Sequence, residues 1–264
     1  MNLFLRELKA NRKSLLIWCA CMVLGVLSGM AKYTAYSSGG ASNQALKDIP
    51  QSIKALLGMG SFDVTTMNGY FALLFLYIAV AAAIHAALLG SGIIAKEERD
   101  KTTEFLIVKP ISRSSVVTSK LLAALVNIVI LNIVTFVSSI VMVAVYNKGG
   151  DISSEVTVFL LSLLIIQLIF LSLGAFVSSL LKNPKKAGAI AAGMVMGAYV
   201  ITEITNLNDR LNLLNILSPF KYFNANDIIS GSGLNPEALA ASLLLIVIFF
   251  ALSYFSYNRR DLKV

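Results

Sequence analysis

Residues 70–95 and 121–146 contain no Lys, Arg, Asp or Glu. Each stretch is long enough to cross a bilayer, which takes about 20 apolar residues. Lipid offers no partner for a backbone N–H or C=O, so such a run crosses as an α-helix that satisfies its own backbone. Between the two lies a dense charged segment, Lys96-Glu97-Glu98-Arg99-Asp100-Lys101-Thr102-Thr103-Glu104-Phe105. It reads as a short loop pinned at one membrane face. Charges packed that closely are more than a tether between spans, and they suggest a docking surface for something soluble.

The rest of the chain agrees with a membrane protein. Of its 264 residues 57% are hydrophobic and 14% charged, against about 25% charged in a soluble domain. The ten-residue alternation of a membrane barrel is missing. The expectation is an all-α integral membrane protein, one transmembrane domain over 1–264, with spans near 14–31, 70–95, 115–146, 156–181, 187–202 and 238–257. The first span is too long, and too closely followed by others, to read as a cleaved signal peptide. With the N-terminus in the cytoplasm, the outer segments hold only Lys32, Lys47, Lys54, Lys148, Arg210 and Lys221 of the 22 basic residues. That asymmetry sets the orientation, both termini inside, in the cell membrane. The net charge of +8 is then a topology signal, because the basic residues are spread over four inner segments, and nucleic acid is not an expected partner.

The connecting pieces carry their own patterns. Residues 1–13 place Phe4, Leu5 and Leu8 on one side and Arg6, Lys9 and Lys13 on the other, as in a short interfacial helix facing anionic lipid headgroups. In the first outer loop Leu46, Ile49, Ile53, Leu56 and Leu57 recur at helical spacing behind Pro50, predicting a short amphipathic helix. The inner loop 181–186, with its Asn183-Pro184 turn, makes spans 4 and 5 antiparallel neighbours. Ala189, Gly193 and Gly197 stand at four-residue steps in span 5, a spacing that lets helix backbones approach closely. The last outer segment, 203–237, carries Leu207, Leu211 and Leu214 and then Ser218-Pro219-Phe220-Lys221-Tyr222-Phe223. Because span 5 is short, this segment is expected to dip back toward the bilayer.

Motifs for chemistry are scarce. There is no H-E-x-x-H, no G-x-S-x-G and no pair of carboxylates within a span. Cys19 and Cys21 share one helix but face different sides, and no second pair exists to complete a zinc site. His85, Asn127, Asn132 and Gln167 are the polar candidates inside the spans. They either line a pathway or bond helix to helix, and a lone His among Ala83, Ile84, Ala86 and Ala87 is more often the latter. No G-x-x-x-x-G-K-[ST] is present, so ATP has no phosphate-cradling loop on this chain.

The charged loop admits two readings from composition alone. One is an ordinary solvated loop. The other is a small helix continuing from Glu97 to Val108, with Phe105, Leu106 and Val108 as apolar knobs, stopped by Pro110 and followed by a new helix capped by Ser112 or Ser114. Here the run Glu97-Glu98-Arg99-Asp100-Lys101-Thr102-Thr103-Glu104-Phe105-Leu106, with Lys109-Pro110-Ile111-Ser112-Arg113 and Lys120, resembles the type-2 ATP-binding-cassette (ABC) transporter permeases. Members of that family show acidic residues, then Gly-Thr-x-Glu, two apolar residues, Pro-x-Ser-Arg and a later Lys. The basic N-terminus, segment 50–58 and the Ser218-Pro219-Phe220 run are similar to further family features. Lys101-Thr102 stands where the family often has Gly-Thr.

The resemblance implies a membrane subunit of an exporter. Two six-span copies, identical or paralogous, would enclose the pathway, and separate ABC ATPase subunits would bind the ATP and dock on the cytoplasmic side. The coupling helix between spans 2 and 3 would then use Glu97, Glu98, Thr102, Thr103, Glu104, Phe105, Leu106, Pro110 and Arg113. No cofactor or metal is expected on this chain. An apolar pathway surface favours hydrophobic or amphipathic cargo, and phenol-soluble-modulin and bacitracin-type exporter permeases are similar in size and layout. The alternatives are a sodium-extruding permease, disfavoured by the few acidic groups in the spans, a six-span immunity or scaffold protein and, more distantly, an intramembrane enzyme.

Overall fold

The computed structural model describes residues 3–37, 49–50, 53–54, 63–100, 102, 111–147, 149–181, 183–207 and 209–259. Among the described residues six helices are long and apolar enough to cross a membrane, and they pack as a bundle. They are α1 Leu3–Ala31, α2 Met67–Arg99, α3 Arg113–Tyr146, α4 Ser153–Leu180, α5 Ala187–Leu207 and α6 Pro236–Arg259. The described parts of the connections include the short helices Tyr33–Ser37 and Ala225–Ile229 and the 3-10 turns Pro184–Lys186, Asp209–Leu217 and Pro219–Lys221.

Helix starts follow side-chain chemistry. Thr66 accepts from Gly69 N at 3.2 Å and opens α2. Ser112 accepts from Ser115 N at 3.2 Å and opens α3. Each hydroxyl satisfies one of the orphan N–H groups of a first turn. Asn183 does the same for the turn Pro184–Lys186, accepting from Lys185 N at 3.1 Å.

The core lies along α2 and α4. Their backbones touch where both helices carry glycine. A Cβ at Gly90 would fall 2.3 Å from Leu171 O, and one at Gly174 would fall 2.4 Å from Ala87 O. Ala83, Ala86, Ala87 and Ala175 extend this small-residue seam, and all are buried. Without a hydrophobic drive between helices in lipid, close backbone packing of this kind supplies the association energy. Phe71, Phe75 and Phe159 fill the seam further along, with Phe75–Phe159 centroids 4.8 Å apart.

Three expectations change. First, the interfacial helix and span 1 are one element. Nothing between Lys9 and Leu16 breaks a helix, and one inward stripe, Phe4, Leu8, Leu15, Trp18, Met22, Val26, runs through both. Second, α5 turns Ala187, Ala191, Val195 and Ala198 inward, while Ala189, Gly193 and Gly197 are exposed, with open space beside both glycines. Two small-residue stripes compete on this helix, and the one offset by two residues packs within the chain. Third, α5 continues to Leu207, so Glu203 lies in the helix and is buried. Residues 202–207 contain no Gly or Pro to stop it.

The segment after α5 folds back beside it. Ser218 is fully buried and donates to Ala198 O at 2.9 Å, roughly 13 Å back along the helix at 1.5 Å per residue. Phe220 packs between Phe170 and Tyr199, centroids 5.4 and 6.4 Å away. Of the expected amphipathic helix, the described part is the turn in which Lys54 N donates to Pro50 O at 3.0 Å. The remaining positions of the expected amphipathic helix, Leu46, Leu56 and Leu57, lie outside the described residues.

Candidate functional site

Five charged groups meet where α1 begins, α2 ends and α3 begins. Glu7 and Lys120 are fully buried and Glu97 is 6% exposed. Lys96 Nζ stands 3.0 Å from Glu7 Oε2. Arg6 Nη2 bridges Glu7 Oε1 at 3.3 Å and Glu97 Oε1 at 3.2 Å. Lys120 pairs with Glu97 Oε2 and also donates to Ile93 O at 2.6 Å. The formal sum is three cations against two anions. The one excess positive charge lies at the last turns of α2, where Lys120 also donates to Ile93 O and where free carbonyls and the helix dipole favour it.

Local sequence explains the placement. Lys96 and Glu97 extend α2 past its apolar run, and the chain caps at Asp100, whose N–H donates to Lys96 O at 2.9 Å. Thr102 N then donates to Glu97 O at 2.8 Å. Glu7 sits on the inward stripe of α1 between Phe4 and Leu8. Lys120 lies inside the third helix among Val116, Val117, Ala123 and Ala124, all buried. A charge with such neighbours must find an opposite charge, and Glu97 is it.

The start of α3 is held a second way. Arg113 Nη1 donates to Asn258 O at 3.1 Å, Asn258 Nδ2 donates to Ser114 Oγ at 3.0 Å, and Thr118 and Tyr254 share a hydrogen bond of 2.8 Å. Both described flanks of the charged loop are therefore tied, one to α1 and the other to α6. The beginnings and ends of the chain's described part lie at this one end of the bundle.

The expected coupling residues divide accordingly. Glu97 points into the charge cluster. Glu98 is half-buried, and Thr102 and Arg113 are exposed. Thr103, Glu104, Phe105, Leu106 and Pro110 lie outside the described residues.

The polar groups within the spans act as follows. Asn132 Nδ2 donates to Gln167 Oε1 and to Ile128 O, joining α3 to α4. Asn127 Nδ2 donates to Ala123 O of its own helix at 2.7 Å. His85 is buried against Trp18, centroids 5.1 Å apart, and its Nδ1 has no hydrogen-bond partner. Cys19 and Cys21 are free thiols, and among the described residues no three His, Cys, Asp or Glu side chains gather as metal ligands do.

At the opposite end an open cavity of about 850 Å³ lies among Tyr33, Asn68, Tyr146, Asn147, Asp151 and Ile229. There Ser153, through its hydroxyl and its N–H, holds the Asp151 carboxyl below the usual carboxylate range. Burial pushes the Tyr222 phenol, in the fold-back segment, above its ordinary value.

Two features escaped the sequence: the Glu7–Lys120 side of the cluster, and Glu203 at the far end of α5. In both cases the missed signal is an ionisable residue in a stretch of helix with no Gly or Pro beside it.

The sequence pattern of the family described as ABC-2 family transporter protein matches residues 1–262. None of the curated proteins matches the chain significantly. A match over nearly the whole length, on a six-helix bundle with a charged segment between its second and third helices, decides the assignment: the chain belongs to the ABC-2 family of transporter proteins.

Proposed function

We propose that this permease subunit works in an ATP-driven exporter that moves hydrophobic or amphipathic cargo out of the cytoplasm. A separate ABC ATPase, the kind of partner the family implies, docks on the segment following Glu97. The observation that carries this reading is the buried charge cluster. It ties the start of that segment to α1, α2 and α3 at once, so a push on the segment is felt by three helices rather than absorbed by a loop. In this reading the charged end faces the cytoplasm and both termini lie there. The outward face of α5, with Gly193 and Gly197 bare of neighbours, receives a second copy or a paralogue, and the pathway forms between the two. Exposed Tyr77 and Leu88 on α2 then belong to the pathway wall, and lipids surround the rest.

The test is reconstitution with a partner ABC ATPase subunit. The pair is co-purified, and ATP hydrolysis is measured with and without Phe105→Ala or Glu98→Lys. Loss of complex formation or of coupled hydrolysis is expected. Wild-type behaviour in both variants would refute the docking role. Stimulation of hydrolysis by amphipathic peptides, but not by hydrophilic ones, tests the cargo class.

A further inference from the structure

The start of α1 carries more positive charge than the charge cluster uses. Arg6, Lys9, Arg12 and Lys13 all lie there. The acid among them, Glu7, is fully buried and is shared by Arg6 and Lys96. Lys9, Arg12 and Lys13 are exposed, and among the described residues none of the three has an ion pair or a side-chain hydrogen bond. Arg6 stands between the two groups: its guanidinium bridges Glu7 and Glu97, while its side chain stays 39% exposed.

Depth and direction decide what can reach these cations. No charged residue occurs from Ser14 to Ala31. At 1.5 Å per residue that stretch is about 27 Å long, close to the roughly 30 Å of a hydrocarbon core. Lys13 therefore stands at the edge of the apolar layer, and Arg6 lies roughly 10 Å further out, on its headgroup side. Arg6, Lys9 and Lys13 follow at steps of three and four residues, so they share one helix face. It lies opposite the inward stripe, and the exposed Leu16, Ile17, Leu24 and Leu27 continue it across the apolar layer. The same face of a second copy would bring only more cations. A lipid phosphate brings the missing negative charge, and its acyl chains match the apolar half of the face.

We propose that the α1 face formed by Arg6, Lys9 and Lys13 is a binding site for an anionic phospholipid of the leaflet at this end of the bundle. The phosphate sits at Lys9 and Lys13, and an acyl chain lies along Leu16, Ile17 and Leu24. Arg6 is the edge at which the site touches the charge cluster. A zwitterionic lipid fits less well, because its own ammonium cancels the charge that the face lacks. Each basic residue near an anionic surface is worth about a fivefold change in affinity, so Lys9 and Lys13 together supply about 25-fold. The site requires neither an ATPase nor a choice of cargo, and it stands or falls apart from the export reading.

The experiment uses the full chain in dodecylmaltoside micelles, with pyrene-labelled phosphatidylglycerol as the probe. Trp18, the single tryptophan, lies roughly 8 Å along α1 from Lys13, so energy transfer from it to pyrene reads binding. Pyrene-labelled phosphatidylcholine supplies the same chains without net charge, and inorganic phosphate at matched ionic strength tests a soluble anion. Saturable binding of phosphatidylglycerol, about tenfold or more tighter than phosphatidylcholine, is expected. Lys9→Gln combined with Lys13→Gln should weaken it by about 25-fold. Lys9→Arg combined with Lys13→Arg should retain it, which ties the loss to charge and not to misfolding. Lys185→Gln combined with Lys186→Gln removes the same charge from the exposed turn before α5 and should leave binding unchanged. Equal binding of the two lipids, displacement by inorganic phosphate, undiminished binding in the double glutamine variant of α1, or loss in its double arginine variant would each overturn the proposal. So would an equal loss in the Lys185 and Lys186 variant, which would show a diffuse surface potential in place of a site.

Discussion

Lys120→Met isolates the central pair of the charge cluster. Methionine fills most of the volume of the lysine stem, so the change removes the ammonium with little cavity. Glu97 then loses the partner of Oε2 in a place where its side chain is only 8% exposed. Breaking a buried ion pair from one side costs about 3–5 kcal/mol, because a charge is left buried without its counter-ion. Arg6 still stands 3.2 Å from Oε1 and is partly solvated, which places the expected loss near the lower end, about 3 kcal/mol. Glu97→Gln strands the fully buried Lys120 ammonium and costs a similar amount. The double variant removes one charge of each sign, so the net charge of the cluster is unchanged and Arg6 and Lys96 keep Glu7 as their partner. It should return to within about 1 kcal/mol of wild type, as when both members of a buried pair are replaced. The chain reports its own unfolding: Trp18 is its single tryptophan and lies against His85, so its fluorescence changes when α1 leaves α2. Unfolding by SDS from dodecylmaltoside, followed at Trp18 and by far-ultraviolet circular dichroism, gives all four corners of the cycle. Refutation would be a Lys120→Met cost under about 1 kcal/mol, the value of an exposed pair, or single costs that simply add in the double variant.

Gly90→Ala should destabilise the α2–α4 seam by about 1–3 kcal/mol through overpacking, since its new methyl meets the Leu171 carbonyl 2.3 Å away; a melt unchanged from wild type would show that the helices can part freely. Gly193→Leu, by contrast, meets open space within the chain and should leave the unfolding of the isolated subunit alone while lowering cross-linking between copies; equal cross-linking would remove α5 from the interface. Asp151 gives a pH signature. Its folded pKa is lowered by Ser153, so its contribution is fully present above the ordinary carboxylate value and is lost as pH falls through the lowered one. Asp151→Asn should therefore flatten part of the acid limb of thermal stability, and an identical limb in both proteins would contradict the hydrogen bonds to Ser153.

The six spans and the charged loop were legible because hydrophobic length is a local property: residues 70–95 declare themselves without reference to any other segment. The start of α3 was legible for the same reason, to within the choice between Ser112 and Ser114 as its cap. The direction of a helix face is different. Span 5 carries small residues on two stripes, and the sequence of α5 alone does not say which one α2 will meet. The seam that holds the bundle, Gly90 on Gly174, pairs residues on two helices and has no signature in either. The cluster is harder still, since Glu7, Glu97 and Lys120 come from three distant parts of the chain.

These failures share a physical cause, and it points to where such chains hide their sites. A topology scheme treats every Lys, Arg, Asp and Glu as the property of a loop and places span ends to keep it so. Glu7 and Glu203 fall in this way to the interfacial helix and the outer segment, and Lys120 counts only as an inner-face charge at the start of span 3. Yet a helix does not end at a charge. It ends at Pro, at Gly or at a cap, as α3 begins at Ser112, and none of these stands next to the three residues. A charged residue on an uninterrupted helix is carried into the bundle, where its burial is tolerable only with a partner. For Glu7 and Lys120 the structure supplies partners, and the two residues lock the charged end. For Glu203 the partners are chiefly neutral, Asn206 Nδ2 at 3.5 Å and the Tyr199 hydroxyl, with Lys221 acting from the fold-back segment.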